Sequence, residues 1–136
     1  MLYAPNSAPD TTVLLTNLSD GWQTLANSLA TRTPGRHVAI RSIAGEYPLH
    51  AMHVWLNGRS GRYVRAMKDP RWDFFEQGPR LEFEDSALYE ERLIRRRLGR
   101  ATLVQYLIAL GWDVTQDGFF KSSRPGRYVK QCFRTT

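Results

Sequence analysis

The sequence predicts one α+β domain spanning residues 1–136, in which an antiparallel sheet of about four to six strands packs with about three helices. Two observations favour this class. Strand-like patterns fill most of residues 38–76, whereas helical spacing of apolar residues appears before and after that stretch. The resulting order is one helix, several strands, two helices and a β tail, which is typical of an α+β fold with an antiparallel sheet. The chain shows no repeat, linker or low-complexity segment.

The N-terminal part of the chain is predicted to be an irregular segment followed by a helix. Residues 1–12 contain two prolines together with Asn, Ser and Asp, so we expect them to lie loosely on the surface. A short strand is expected over residues 13–16. The helix that follows is capped by Asn17 or Ser19 and ends at Pro34 and Gly35. Its apolar stripe consists of Leu18, Trp22, Leu25 and Leu29.

Residues 38–76 are predicted to form the sheet. Residues 38–43 alternate in side-chain direction, which gives one mostly apolar face. Residues 47–56 are apolar on both faces apart from His50 and His53. Residues 57–61 form a hairpin loop that leads into a strand over residues 62–68. In that strand one face carries Tyr63, Arg65 and Met67, and the other carries Val64 and Ala66. A last strand over residues 71–76 precedes a turn at Gly78 and Pro79.

Two helices are predicted after the sheet. The first begins at Ser86, carries the pair Glu91 and Arg95 one turn apart, and stops at Gly99. Three arginines in its last turn complement the helix dipole. The second helix ends at Gly111, and its apolar stripe consists of Leu103, Tyr106, Leu107 and Leu110. We expect one or two further strands around Phe119, Phe120 and residues 128–133.

Composition restricts the classes of function. The net charge of +6 favours an anionic partner, either nucleic acid or an acidic protein surface. Cys132 is the only cysteine, so no disulfide forms within the chain and a zinc site with paired cysteines is excluded. No signal peptide is visible, and the longest apolar stretch, residues 103–112, is too short to span a membrane. We therefore expect a cytoplasmic protein that does not bind membranes.

An acidic and aromatic stretch is the first candidate binding site. Residues 73–91 are rich in carboxylates, and aromatic residues cluster at the start of this stretch. This combination suits a surface that recognises another protein. The charge then changes to strongly basic over residues 92–100. The predicted partner-binding residues are Trp72, Asp73, Phe74, Glu76, Glu82, Glu84, Asp85, Glu90 and Glu91.

A basic hairpin and a basic C-terminal region form the alternative site, for nucleic acid. Such a surface needs cations for phosphates and aromatic rings for bases, and Tyr63, Phe119, Phe120 and Tyr128 are interleaved suitably. The predicted nucleic-acid-binding residues are Arg59, Arg62, Lys68, Lys121, Arg124, Arg127 and Lys130.

Catalysis is the third alternative, as a small basic nuclease that uses His50 or His53 as a general acid or base. The odd spacing of these two histidines places them on opposite faces of a strand, so they do not share one metal ion. His37 is the remaining histidine. No phosphate-binding loop, nucleophile motif or metal-ligand spacing is present, so we expect a protein without catalytic residues, cofactor or metal.

The stretch FFEQGPRLEFEDSALYEERLIRRRL, followed by LVQYLIALGW, resembles small bacterial immunity proteins encoded beside contact-dependent or other polymorphic toxins. The chain length and the α+β pattern agree with this resemblance. It implies that the partner is a cognate toxin domain and that the chain inhibits the toxin by covering its active site or substrate surface.

Overall fold

The computed structural model describes residues 1–16, 23–124 and 126. In chain order, the described residues form strands β1 (Leu2–Tyr3) and β2 (Val13–Leu14), helix α1 (Gln23–Arg32), strands β3 (Arg36–Ile43), β4 (Leu49–Leu56), β5 (Arg59–Lys68) and β6 (Trp72–Gln77), helices α2 (Ser86–Tyr89), α3 (Ile94–Arg97) and α4 (Arg100–Ala109), and a 3-10 helix over Asp117–Phe120. Strands β3 to β6 pair in that order as an antiparallel sheet of four strands, and β1 pairs with β2. The predicted α+β fold with an antiparallel sheet is confirmed.

Side-chain alternation gives the main sheet two faces. Helices α3 and α4 pack on one face, which we call the covered face. One row of residues across this face consists of Ile40, Met52, Val64 and Glu76. We call the other side the open face, because among the described helices only α1 packs on it. One row across the open face consists of Ala39, His53, Tyr63 and Gln77.

The hydrophobic core lies between the covered face and helices α2 to α4. Val64 and Ala66 are fully buried, as their predicted orientation requires. The core also includes Met52, Val54, Tyr89, Leu98, Leu103 and Tyr106. Helix α4 ends where the sequence predicts, since Gly111 adopts a φ of +87°, a conformation that glycine tolerates best.

The β4–β5 connection is tighter than the predicted loop over residues 57–61. Asn57 and Gly58 have φ values of +48° and +80°, so two residues complete the hairpin and β5 already begins at Arg59. The pairing then shifts, since Trp55 pairs with Ser60 but Val54 pairs with Arg62, which leaves one extra residue on β5. This bulge sets the side-chain direction for the rest of β5.

Helix α1 ends before Pro34 and Gly35, as predicted, and Gly35 has a φ of +100°. Its buried residue is Ala30, whereas Leu29 of the predicted apolar stripe is 41% exposed and Leu25 is half-buried. The predicted apolar stripe therefore does not identify which side of α1 is buried. The other stripe residues and the proposed caps, Leu18, Trp22, Asn17 and Ser19, lie outside the described residues.

The helix predicted from Ser86 to Gly99 is two short helices, α2 and α3. Asp85, rather than Ser86, caps α2, because its side chain accepts a hydrogen bond from the Ala87 backbone at 3.1 Å. Between the helices the chain is irregular, so Glu91 and Arg95 do not share a helix and the predicted pair between them does not form. Gly99 precedes α4 as its N-cap instead of ending a helix.

The predicted loose segment, residues 1–12, is instead attached at several points. Leu2 and Tyr3 pair with β2, and Tyr3 is buried with its ring 6.5 Å from that of Phe119. The Thr11 hydroxyl accepts a hydrogen bond from the Trp112 indole at 3.0 Å. Phe119 lies in the 3-10 helix and not in the strand expected there, and residues 128–133 lie outside the described part of the chain.

Candidate binding surfaces

Arg62 is the centre of a buried ion-pair network on the covered face, with its side chain 1% exposed. Its Nε donates to Glu84 Oε1 at 2.9 Å, and its Nη2 donates to Glu84 Oε2 at 2.8 Å. Nη2 also donates to Glu76 Oε2 at 2.7 Å, and Nη1 donates to the Gly78 carbonyl oxygen at 2.9 Å. Each guanidinium nitrogen therefore has an acceptor, as a buried charge requires.

Glu84 connects Arg62 to two buried tyrosines. Its carboxylate accepts hydrogen bonds from the Leu81 backbone at 2.8 Å and from the Tyr89 hydroxyl at 2.7 Å. Because the Tyr89 hydroxyl donates a hydrogen bond to the carboxylate, the Tyr106 hydroxyl, at 3.0 Å, donates to the Tyr89 oxygen. The Tyr106 oxygen in turn accepts from the Asp85 backbone at 3.1 Å. The network thus joins the sheet, α2 and α4 to the loop between Gly78 and Asp85.

The network fixes the ionisation of Arg62 and Tyr89. Burial lowers the pKa of the Arg62 guanidinium, but the hydrogen bonds with Glu84 and Glu76 outweigh burial, so this pKa lies above its usual range. Burial, and next the hydrogen bonds with Tyr106 and Glu84, raise the pKa of Tyr89. At neutral pH, Arg62 therefore remains charged and Tyr89 remains protonated.

Two local features of the sequence build this network. Arg62 precedes Val64 and Ala66 at even spacing, so alternation directs all three side chains to the covered face. Gly78 has a φ of +81°, and a Cβ on it would lie 2.1 Å from the Gly61 carbonyl oxygen. Only glycine lets the chain turn so close to β5. The turn brings Glu84 over Arg62.

The structure corrects part of the predicted acidic surface. Glu84 is fully buried against Arg62 and therefore does not lie on the surface. Trp72 and Phe74 lie on the covered face, half-buried against the core. Glu76 lies on the same face and is shared by two arginines. These four side chains pack against other parts of the domain, because strand alternation and the Gly78 turn direct them to the covered face.

Four predicted carboxylates remain exposed on residues 82–91, which we call the acidic segment: Glu82, Asp85, Glu90 and Glu91. Glu90 contacts Arg80 at 3.2 Å, and its side chain is 75% exposed. Glu82 and Glu91 form no side-chain ion pair with the described residues. Asp73 is exposed too, but it lies on the open face, where it pairs with Arg65 at 2.8 Å.

The predicted nucleic-acid-binding residues do not form one patch. Arg62 is buried and cannot reach a phosphate, which corrects its assignment. Arg59 and Lys68 lie at opposite ends of β5, about 30 Å apart for a strand of that length. Lys121 and Arg124 are exposed beyond the 3-10 helix. The last two predicted residues, Arg127 and Lys130, lie outside the described residues.

The histidines do not converge. His50 lies on the covered face beside Ser42, with 3.1 Å between Nδ1 and Oγ, and His53 lies on the open face beside Ser60, with 2.8 Å between Nε2 and Oγ. Burial lowers the pKa of both rings. The predicted opposite orientation is confirmed. His37 contacts the Thr33 hydroxyl, 3.0 Å from its Nε2, so each histidine has a local serine or threonine neighbour.

A row of aromatic rings crosses the open face and consists, in order, of Trp55, His53, Tyr63 and Phe75. The successive ring centroids are 3.5, 5.2 and 6.0 Å apart. Exposure increases along the row, from 3% at Trp55 to 44% at Phe75. The Arg65 guanidinium lies 5.7 Å from the Phe75 ring centroid. Rings and cations therefore meet at the exposed end of this row.

A pocket of about 230 Å³ opens beside the aromatic row, between α1 and the sheet. Helix α1 contributes Gln23 and Asn27, and the sheet contributes Arg41, His53 and Tyr63. Amide, guanidinium, imidazole and phenol groups thus face one small volume. Such a lining can hydrogen-bond a planar polar ligand and hold an anionic group at its rim.

Glu76 should make the stability of the domain sensitive to acid. The hydrogen bond from Arg80, opposed by burial and aided by Arg62, lowers the pKa of Glu76 to about 2. Its contribution to the free energy of unfolding is thus complete above its ordinary pKa of 4.5 and decreases as the pH falls towards about 2. We expect the urea midpoint to fall over this interval, and to fall less in Glu76→Gln.

The matched control for this pH dependence is Glu82→Gln, because the Glu82 carboxylate is exposed. It should leave the pH dependence of the wild-type chain unchanged. An equal acid dependence in Glu76→Gln and wild type would contradict the role assigned to the two arginines.

Sequence reasoning missed the Arg62–Glu84 pair, although one signal for it was present. Arg62 lies at even spacing from Val64 and Ala66, which were correctly predicted to face away from Tyr63.

Among the described residues, no group of three or more His, Cys, Asp or Glu side chains is placed to hold a metal ion. Within the same residues, no helix has the length and apolar character needed to cross a membrane.

Comparison of the chain with protein-family models, with curated proteins and with solved structures gave no match.

Proposed function

We propose that this chain is a non-catalytic, cytoplasmic protein-binding domain of the immunity type, which neutralises a cognate bacterial toxin by covering its active site. The observation that carries the proposal is the buried network beneath the acidic segment. Arg62 and Glu84 hold this segment against the sheet through contacts that exclude solvent. The resemblance of residues 74–112 to immunity proteins supports the same function.

The network is better explained by conformational specificity than by stability. A buried ion pair contributes little net stability relative to apolar residues of similar volume. It does, however, fix the loop after Gly78 and the start of α2 in one position, through Leu81, Asp85 and Tyr106. A surface that is ordered before binding loses less entropy when the complex forms.

The charge of the acidic segment indicates the chemistry of its partner. Exposed carboxylates on a chain of net charge +6 favour a basic site on the partner, such as the substrate surface of a toxin that acts on nucleic acid. Leu93, which is 43% exposed, lies two residues after the segment and offers an apolar contact. A charged rim beside an apolar side chain is typical of protein interfaces.

The first experiment is a pull-down with the tagged chain from nuclease-treated lysate of the source cell. We expect a protein in stoichiometric amount whose production alone arrests growth and whose co-expression with this chain restores growth. A captured protein that is harmless when expressed alone would contradict the immunity function.

Charge reversal in the acidic segment is the second test. The double variant Glu82→Lys/Glu91→Lys changes exposed side chains that form no ion pair with the described residues, so its unfolding free energy should stay unchanged. We expect the affinity for the captured toxin to fall by at least about tenfold, because attraction becomes repulsion. Surface plasmon resonance measures this change.

Glu46→Lys is the matched control, since Glu46 is exposed in the β3–β4 connection and outside the acidic segment. It should change the affinity little. Equal affinities for wild type, the control and the double variant would show that the toxin does not contact this segment.

A further inference from the structure

We propose that the open face of the sheet binds single-stranded nucleic acid, with bases stacking on Tyr63 and Phe75 and with phosphates bound by Arg41 and Arg65. Arg41 and Arg65 differ from the basic residues that the sequence predicts for nucleic-acid binding, whereas Tyr63 is one of the aromatic residues predicted for it. The proposal does not depend on the immunity function, because the Arg62 network lies on the other face of the sheet.

The aromatic side chains provide the stacking surface. Tyr63 and Phe75 lie on neighbouring strands with ring centroids 6.0 Å apart, so two successive bases can each contact one ring. Phe75 is 44% exposed, so much of its side chain is accessible to a ligand on the open face. Stacking suits any base, because every base has an aromatic face.

The cations provide the charge complementarity. Arg65 lies next to Phe75, and its side chain is 30% exposed. Its partner Asp73 is 60% exposed, and such a surface ion pair is weak enough for a phosphate to replace the carboxylate. Arg41 lies across the sheet, at the pocket beside Tyr63. Arg41, Arg65 and Phe75 belong to one row across the open face, so a phosphate backbone that follows this row can contact both guanidinium groups.

The pocket favours an unpaired base over a duplex. Its volume of about 230 Å³ holds a planar ring of the size of a nucleobase, and Gln23 and Asn27 present amide groups that can pair with base edges. Tyr63 and His53 form the aromatic side of the pocket. A base in a duplex exposes neither its faces nor its pairing edge, so this surface selects single strands.

Fluorescence anisotropy with the full chain tests the proposal directly. The probes are labelled single-stranded DNA and RNA of about 12 nucleotides and a duplex of the same length, at about 50 mM salt. We expect the folded chain to bind either single strand at least tenfold more tightly than the duplex. Phe75→Ala should weaken single-strand binding by roughly 5- to 150-fold, the factor expected for one stacked base.

Phe120→Ala is the matched control, since Phe120 is 50% exposed but lies in the 3-10 helix and not on the sheet. It should not weaken binding. Two charge variants add a second readout. Asp73→Asn removes the carboxylate that competes with phosphate for Arg65 and should tighten binding. Arg41→Gln should make the fall of log affinity with log salt concentration less steep, by about the contribution of one phosphate contact.

Three results would overturn the proposal: no binding of either single strand by the folded wild-type chain, equal binding of single strands and duplex, or equal losses in Phe75→Ala and Phe120→Ala. If Phe75→Ala instead abolishes binding of a protein partner and no oligonucleotide binds, the open face is a protein interface and the nucleic-acid proposal is wrong. Urea midpoints measured for each variant separate lost binding from lost folding.

Discussion

Replacing Arg62 by methionine should destabilise the domain by about 3–5 kcal/mol, because the substitution leaves Glu84 buried without its cation. The Tyr89 hydroxyl would then be the remaining side-chain donor to that carboxylate. Urea unfolding followed by the fluorescence of the four tryptophans measures the free energy of unfolding. The slope of that free energy with urea should not change.

A double variant separates the ion pair from the packing around it. Arg62→Met/Glu84→Leu removes both charges, so we expect it to be more stable than Arg62→Met alone by at least about 2 kcal/mol. Arg59→Met is the matched control on the same strand, because Arg59 is exposed, and it should cost less than about 0.5 kcal/mol. Additive losses in the double variant would show that the two charges do not stabilise each other.

Leu103→Ala should cost about 2–5 kcal/mol, because Leu103 is 1% exposed in the core between α4 and the sheet. The loss combines the transfer of the removed methyl groups with the cavity left behind. The same urea experiment measures it, and the variant should keep the antiparallel sheet, which far-ultraviolet circular dichroism reports.

Leu107→Ala is the comparison within the same helix. Leu107 belongs to the same predicted stripe but is only half-buried, so its truncation should cost clearly less than that of Leu103. An equal or larger loss at Leu107 would show that α4 is rotated relative to the orientation described above.

Local patterns were enough to predict most of the sheet. Period-two alternation gave the directions of Tyr63, Val64 and Arg65 correctly, because successive side chains of any strand point to opposite faces. Gly111 marked the end of α4 for a similarly local reason, the left-handed conformation that a helix C-terminus adopts there. Such signals depend on residues within a few positions of one another.

The break between α2 and α3 could not be predicted in this way. Residues 86–98 have good helical composition, and their charges suit a helix dipole. The chain nevertheless leaves the helix after Tyr89, whose hydroxyl contacts Glu84 and Tyr106 in the interior. Tertiary contacts outweigh helix propensity here, because propensity differences between ordinary residues amount to less than about 1 kcal/mol each.

The sequence by itself determined the fold class with its antiparallel sheet and the opposite orientations of His50 and His53. Only the tertiary structure decided which charged side chains are surface groups. Arg62 and Glu84 are 22 residues apart, and both looked like binding residues until the Gly78 turn placed one over the other. Burial of a charge depends on the partner that the fold brings to it, and no local pattern contains that information.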